Sequence, residues 1–112
     1  YYNSPTLNIK NSASNQVISS KTCAVLRNYM KNVVENGTGF NAQYKSKTAG
    51  KTATAQSGIY VDGKEQLNTW FVGFYPYDNP KYSIVVMREG GKSGAGDCCP
   101  VFRTIVEKID NM

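Results

Sequence analysis

The chain has 112 residues, of which 40% are hydrophobic and 19% charged, a balance that excludes intrinsic disorder and fits one small folded domain. Its longest apolar runs are far too short to span a membrane. Basic residues outnumber acidic ones by 13 to 8, but they are scattered, which argues against nucleic acid as a partner. No signal peptide is recognisable and the sequence does not start with Met, so we expect a segment of a longer protein with any targeting sequence upstream.

The first part of the chain predicts one helix after a polar start. A short extended segment is a candidate at Thr6–Lys10. Apolar side chains then recur at helical spacing, namely Cys23, Leu26, Met30 and Val33. This pattern predicts a helix at about 20–36, which Ser19 or Ser20 can cap. Gly37 is typical of a left-handed helix stop.

A loop at 37–47 leads into three predicted strands. Their expected bounds are Ala49–Tyr60, Leu67–Tyr75 and Tyr82–Arg88. Asp62-Gly63 is the strongest hairpin signal in the chain, and Pro76–Pro80 predicts a second turn. The apolar residues of the third strand fall on both faces, so we expect it to be covered on both sides. Trp70 is expected to anchor the core of this meander.

The chain is predicted to end with a loop and a second helix. Residues 90–97 are rich in glycine and are interpreted as a surface connection. Pro100 suits a first helical turn, and an apolar stripe follows it at helical spacing: Phe102, Ile105, Val106 and Ile109. The predicted fold is therefore α+β, a three-stranded antiparallel meander flanked by an N-terminal and a C-terminal helix. No linker or repeat divides residues 1–112 into two domains.

Cysteine and histidine usage narrows the chemistry further. The chain has three cysteines, Cys23, Cys98 and Cys99, and no histidine. An odd count argues against a disulfide framework, and neighbouring cysteines rarely reach disulfide geometry. Zinc sites of the usual type and all Ser-His or Cys-His catalytic pairs are excluded. We therefore expect buried or idle thiols, no metal and no cofactor.

One stretch carries a functional signal, the segment AGKTATAQ from Ala49 to Gln56 on the first predicted strand. It resembles the third active-site motif of serine acyl-transferring penicillin-binding proteins, Lys-Thr-Gly followed by Thr-Ala. The flanks are similar too, in the family's order: SSKTCAVLRNYMKNVVENGTG, WFVGFYPYDNPKYSIVVM and GDCCPVFRTIVEKI. The resemblance covers about residues 17–110 and is greatest to the high-molecular-weight, monofunctional branch. It implies the C-terminal part of a transpeptidase domain, with a serine β-lactamase/transpeptidase-like fold.

The resemblance also implies roles for individual residues. Lys51 would be catalytic, setting the electrostatics and proton traffic of the site. Thr52, Ala53 and Thr54 would bind substrate, the two hydroxyls facing the carboxylate of a stem peptide or β-lactam. The backbone N–H of Thr54 would form half of the oxyanion hole. The ordinary alternative for Lys51 is a lysine that protects an edge strand from aggregation, and the matching flanks favour the functional interpretation.

Two family motifs are missing, and one position departs from the pattern. No serine starts a Ser-x-x-Lys or a Ser-x-Asn motif, so the nucleophile is expected outside this segment. The chain alone is therefore predicted to be inactive. Ala53 stands where the family has glycine, and its methyl group is expected to reduce acylation of the parent protein.

The resemblance thus implies a segment of a peptidoglycan D,D-transpeptidase whose parent is anchored at the extracytoplasmic face of the bacterial membrane. Its partners would be stem peptides, β-lactams and the rest of the transpeptidase domain, and the isolated segment is expected to self-associate. Three alternatives stay open: a catalytically silent sensor or scaffold, a class D-like β-lactamase, and an unrelated basic binding module. An intact Ser-x-x-Lys upstream would favour the enzyme.

Overall fold

A computed structural model of the protein describes residues 14–112, so the extended segment predicted at Thr6–Lys10 lies outside the described residues. The elements in chain order are helix α1 (Ser20–Asn36), a 3-10 turn (Phe40–Ala42), strands β1 (Ala49–Val61), β2 (Lys64–Tyr75) and β3 (Tyr82–Gly91), and helices α2 (Gly94–Asp97) and α3 (Cys99–Asp110). The strands form one antiparallel sheet in the order β1-β2-β3. The predicted α+β meander between two helices is confirmed.

Helix α1 begins and ends at the predicted residues, but the backbone conformation at its C-terminal stop differs from the prediction. The Ser19 hydroxyl accepts the Thr22 N–H at 3.1 Å, as an N-cap does. Gly37 ends the helix with φ −127°, which is extended backbone, so the predicted left-handed stop is wrong. The chain instead turns back on the helix, where Gly39 packs so closely that an added Cβ would lie 3.1 Å from a Val33 methyl group.

The first hairpin turn follows its local sequence. Asp62 and Gly63 have φ values of 52° and 76°, the two positive values of a type I′ turn. The resulting hairpin extends past the third strand, because β3 pairs with β2 only from Leu67 opposite Gly91 to Tyr75 opposite Tyr82. Strand β1 therefore forms one edge of the sheet along its whole length.

The core lies between the sheet and helix α3. The rings of Phe71 and Phe102 are fully buried and meet edge to face, with 4.7 Å between their centroids. Gly73 makes this approach feasible, because a Cβ there would lie 2.8 Å from the Phe102 ring. Val34 of α1 and Val106 of α3 complete the same cluster. The apolar stripe predicted for α3 therefore faces the sheet.

Two expectations about covered surfaces and one about a loop are wrong. Trp70 is half-buried on the face opposite α3, because strand alternation gives the core position to its neighbour Phe71. Strand β3 is covered on one face only, since Val85 is 59% and Met87 43% exposed. The predicted loop 90–97 contains α2, which starts because the Ser93 hydroxyl accepts the Gly96 N–H at 3.0 Å.

The carboxylate of Asp110 joins the end of α3 to the loop before β1. It accepts hydrogen bonds from the Lys45 ammonium at 2.9 Å and the Tyr44 hydroxyl at 3.2 Å, and also from the Tyr75 hydroxyl. These bonds, that of Tyr75 foremost, lower the pKa of Asp110 from 3.8 to about 2. The bond to Asp110 raises the pKa of Tyr75 to about 12.

Acid should therefore weaken the fold through Asp110. A carboxyl group with a lowered folded-state pKa stabilises the fold above its unfolded pKa, and that stabilisation is lost as the pH falls toward its folded pKa. We expect the difference in Tm between wild type and Asp110→Asn to be largest above pH 4 and to shrink between pH 4 and about 2. Thermal unfolding at several pH values measures it, with the exposed Glu107→Gln as control. A difference that stays constant with pH would contradict the assignment.

Candidate active-site strand

Strand β1 leaves the core within a few residues. Thr48, Ala49 and Gly50 are buried, and the following residues reach the surface. Gly50 is required at this point, because a Cβ there would lie 2.2 Å from the Phe71 ring. The start of the strand is therefore held by the rigid core, while the next four residues lie on an unpaired sheet edge.

The structure places the four candidate residues on two faces of that edge. Lys51 pairs with Val72, whereas Thr52 pairs with the buried Phe71. Because directly opposed residues of an antiparallel pair share a face, Lys51 and Ala53 lie on one face, and Thr52 and Thr54 lie on the α3 side. Lys51, Ala53 and Thr54 are exposed and Thr52 is half-buried. All four therefore remain accessible at the free edge of strand β1.

The ammonium of Lys51 reaches across the edge. Its Nζ donates to the Thr52 carbonyl oxygen at 2.9 Å. This bond brings the positive charge toward the strand edge, although the side chain starts from the opposite face to the threonines. The charge and the hydroxyls predicted to act together are thus neighbours around one strand.

Thr38 joins this group and was missed by sequence reasoning. It lies in the Gly37-Thr38-Gly39 loop after α1, and its Oγ1 lies 2.7 Å from the Oγ1 of Thr52. The Gly-Thr-Gly segment was recognised only as a flank of the motif. The signal that could have identified Thr38 is a hydroxyl between two glycines, which keep the loop backbone close to α1.

The cysteines take no part in this edge. Cys98 is buried and its Sγ donates to the Thr69 carbonyl at 3.3 Å, while burial raises the pKa of Cys99 to about 11. All three thiols are free. Among residues 14–112, no three His, Cys, Asp or Glu side chains are grouped to hold a metal ion. Within the same residues, no helix has the length and hydropathy to cross a membrane.

Comparison with known proteins decides the family. Residues 4–107 match the family model described as the penicillin binding protein transpeptidase domain. The chain belongs to this family. It is 35% identical over 111 residues to the peptidoglycan D,D-transpeptidase FtsI of Buchnera aphidicola, covering 91% of this chain and 19% of that protein. It is 36% identical over 84 residues to the stage V sporulation protein D of Bacillus subtilis, covering 71% of this chain and 13% of that protein.

Solved structures of this family share the fold. The transpeptidase domain of the FtsI4 D,D-transpeptidase from Legionella pneumophila superposes with a TM-score of 0.72 at 29% identity, covering 82% of this chain and 36% of that one. The D,D-transpeptidase domain of a peptidoglycan glycosyltransferase from Eggerthella lenta gives a TM-score of 0.74 at 25% identity, covering 95% and 24%. The penicillin-binding transpeptidase segment predicted from the Lys-Thr strand is confirmed, and it spans about a fifth of the length of the FtsI relative.

Proposed function

We propose that this chain is the C-terminal part of the transpeptidase domain of a peptidoglycan D,D-transpeptidase, and that its β1 edge forms one wall of the substrate groove. The observation that carries the proposal is the exposure of Lys51 and Thr54 on an unpaired strand edge whose start is fixed in the core. An extended peptide can add to such an edge through backbone hydrogen bonds.

The polar groups of this edge suit a peptide that ends in a carboxylate. An ammonium and hydroxyls can bind the anion through charge-assisted hydrogen bonds. Lys51 supplies the charge, and the Thr38 contact orients the Thr52 hydroxyl. The backbone N–H groups of an antiparallel edge strand point alternately toward the neighbouring strand and away from it. The N–H of Thr54 therefore points in the same direction as the N–H of Thr52. This N–H would stabilise the negative charge that develops on the attacked carbonyl oxygen.

The serine of the acyl-enzyme would come from the remainder of the parent protein. Fluorescent penicillin tests this division of labour. We expect covalent labelling of the full-length parent, loss of labelling when the serine of its Ser-x-x-Lys motif is changed to alanine, and no labelling of residues 1–112 alone. Covalent labelling of residues 1–112 alone would refute the proposal, and so would an unlabelled parent.

Ala53 is the reason for a second candidate function. In this alternative the parent reacts slowly with penicillin-like ligands, or acts as a silent sensor or scaffold. Its exposed methyl group lies on the Lys51 face of the strand, where the family has glycine. We expect Ala53→Gly to raise the acylation rate of the parent about tenfold, a change of about 1.4 kcal/mol in the barrier. The control is Ala55→Gly on the same face of β1, which should leave the rate unchanged. Equal rates for wild type and Ala53→Gly would remove the idea.

The setting of the parent follows from the same proposal. A stem-peptide cross-linking enzyme acts at the extracytoplasmic face of the bacterial membrane, with the rest of its transpeptidase domain as its nearest partner. An apolar patch on the sheet supports self-association of the isolated chain, because Val72, Val85 and Met87 are exposed around Trp70 on the face opposite α3. Light scattering that shows a monomer at all concentrations would contradict this expectation.

A further inference from the structure

The carboxylate of Asp97 accepts four hydrogen bonds on the α3 side of the sheet. Its Oδ2 accepts the N–H groups of Lys92 at 2.6 Å and Ser93 at 2.9 Å, and the Thr69 hydroxyl at 3.3 Å. Its Oδ1 accepts from Arg88 Nη1 at 3.2 Å. The two backbone N–H groups are the main reason that its pKa lies below its ordinary value. Asp97 is therefore ionised at neutral pH and joins strand β2, the end of β3 and α2.

Helix α2 is pressed by these bonds against the backbone of β1. Gly94 is buried, and a Cβ there would lie 3.0 Å from the Ala53 carbonyl oxygen and 2.5 Å from that of Trp70. Residue 53 lies between Thr52 and Thr54, whose side chains are on the α2 side of the sheet. The first turn of α2 thus contacts the strand where the proposed carboxylate and oxyanion groups begin.

Helix α2 also contacts the loop that carries Thr38. The Asn41 side chain donates to the Ala95 carbonyl oxygen at 3.1 Å, which links α2 to the 3-10 turn directly after that loop. Helix α2 therefore contacts both the strand that carries Thr52 and the 3-10 turn that follows Thr38. A shift of α2 would move the strand and the loop together.

We propose that Asp97 is a positioning residue for acyl transfer, which holds α2 against Ala53 and so fixes the direction of the Thr54 N–H. The inference rests on the proposed function of β1. Hydrogen-bond donors of an oxyanion hole act within about 2.7–3.1 Å of the developing charge, and a displacement of about 1 Å can lower a rate about 10²-fold. A carboxylate with four donors fixes α2 more strictly than packing of its small residues alone.

The test is single-turnover acylation of the full-length parent by penicillin with Asp97→Asn, which keeps the shape and removes the charge. We expect the acylation rate constant per active site to fall about 10- to 100-fold. The fraction of protein that becomes acylated and the dissociation constant of the non-covalent complex should stay close to wild type. Glu89→Gln is the matched control, because it also removes one negative charge, from an exposed side chain of β3 that makes no hydrogen bond to Asp97, and it should leave the rate unchanged.

A purely structural role would give the opposite split, with a smaller acylated fraction and an unchanged rate constant, and that result would overturn the proposal. If Asp97→Asn does not fold, Thr69→Val takes its place, since it removes one donor to Asp97 at nearly constant volume. It should lower the rate constant in the same direction, and an unchanged rate would again overturn the proposal. Failure of the proposed function is distinguishable, because the wild-type parent would then not be acylated at all.

Discussion

Replacing Lys51 with methionine in the full-length parent should lower the rate of penicillin acylation about 10²- to 10⁴-fold, the range in which a positioned proton-transfer group contributes. Methionine keeps the length of the side chain and removes the ammonium, which lies 2.9 Å from the Thr52 carbonyl at the strand edge. The measurement is the second-order rate constant for fluorescent penicillin, compared with wild type.

The matched control for Lys51 is Lys47→Met, four residues earlier and also exposed. Both changes remove one positive charge, so a general effect of net charge on the approach of the anionic drug would appear in both variants. We expect Lys47→Met to stay within about twofold of wild type, as an exposed charge in high dielectric should. Equal losses in the two variants would show that Lys51 acts only through the overall field.

Truncation of Phe102 to alanine should destabilise the fold by about 3–5 kcal/mol, the usual result for a fully buried phenylalanine. Phe102 is completely buried, stacks edge to face on Phe71 and fills the space above Gly73. Because whole domains are stable by only about 5–15 kcal/mol, this change removes a large part of the margin. Urea denaturation of the full-length parent, followed by the unfolding of its transpeptidase domain, measures the loss.

Phe40→Ala is the corresponding control, since Phe40 is 59% exposed in the 3-10 turn. Its truncation should cost less than about 1 kcal/mol, because little apolar surface is removed from water at this site. If the two variants lose similar stability, the core does not lie between β2 and α3. If Phe102→Ala folds normally and still loses acylation, the residue acts on the active-site strand rather than on stability.

The candidate site on β1 adjoins the core where Gly50 packs against Phe71 of β2. Phe71 packs on Phe102, and the space beside its ring is available only because residue 50 is glycine. Lys51 therefore follows directly on a residue that is clamped against the core. A site built on a strand of this kind is more rigid than one on a loop, and the proposed acyl transfer would require that rigidity.

The elements that local interactions determine could be predicted from the sequence by itself. The apolar spacing and Ser19 cap of α1, the positive φ values of Asp62-Gly63 and the stripe of α3 depend on residues close in the chain. The order of the Lys-Thr strand and its flanks was sufficient to indicate the family, since the chemistry of that motif needs an ammonium and hydroxyls on one strand.

Only the tertiary structure decided which faces are covered and what supports the site. Strand alternation makes Phe71 and Trp70 equal candidates for the core, and the docking of α3 on one side makes the choice. The Thr38–Thr52 contact and the approach of Gly94 to Ala53 join residues far apart in the sequence. Such contacts depend on how the helices pack on the sheet, so no local pattern predicts them.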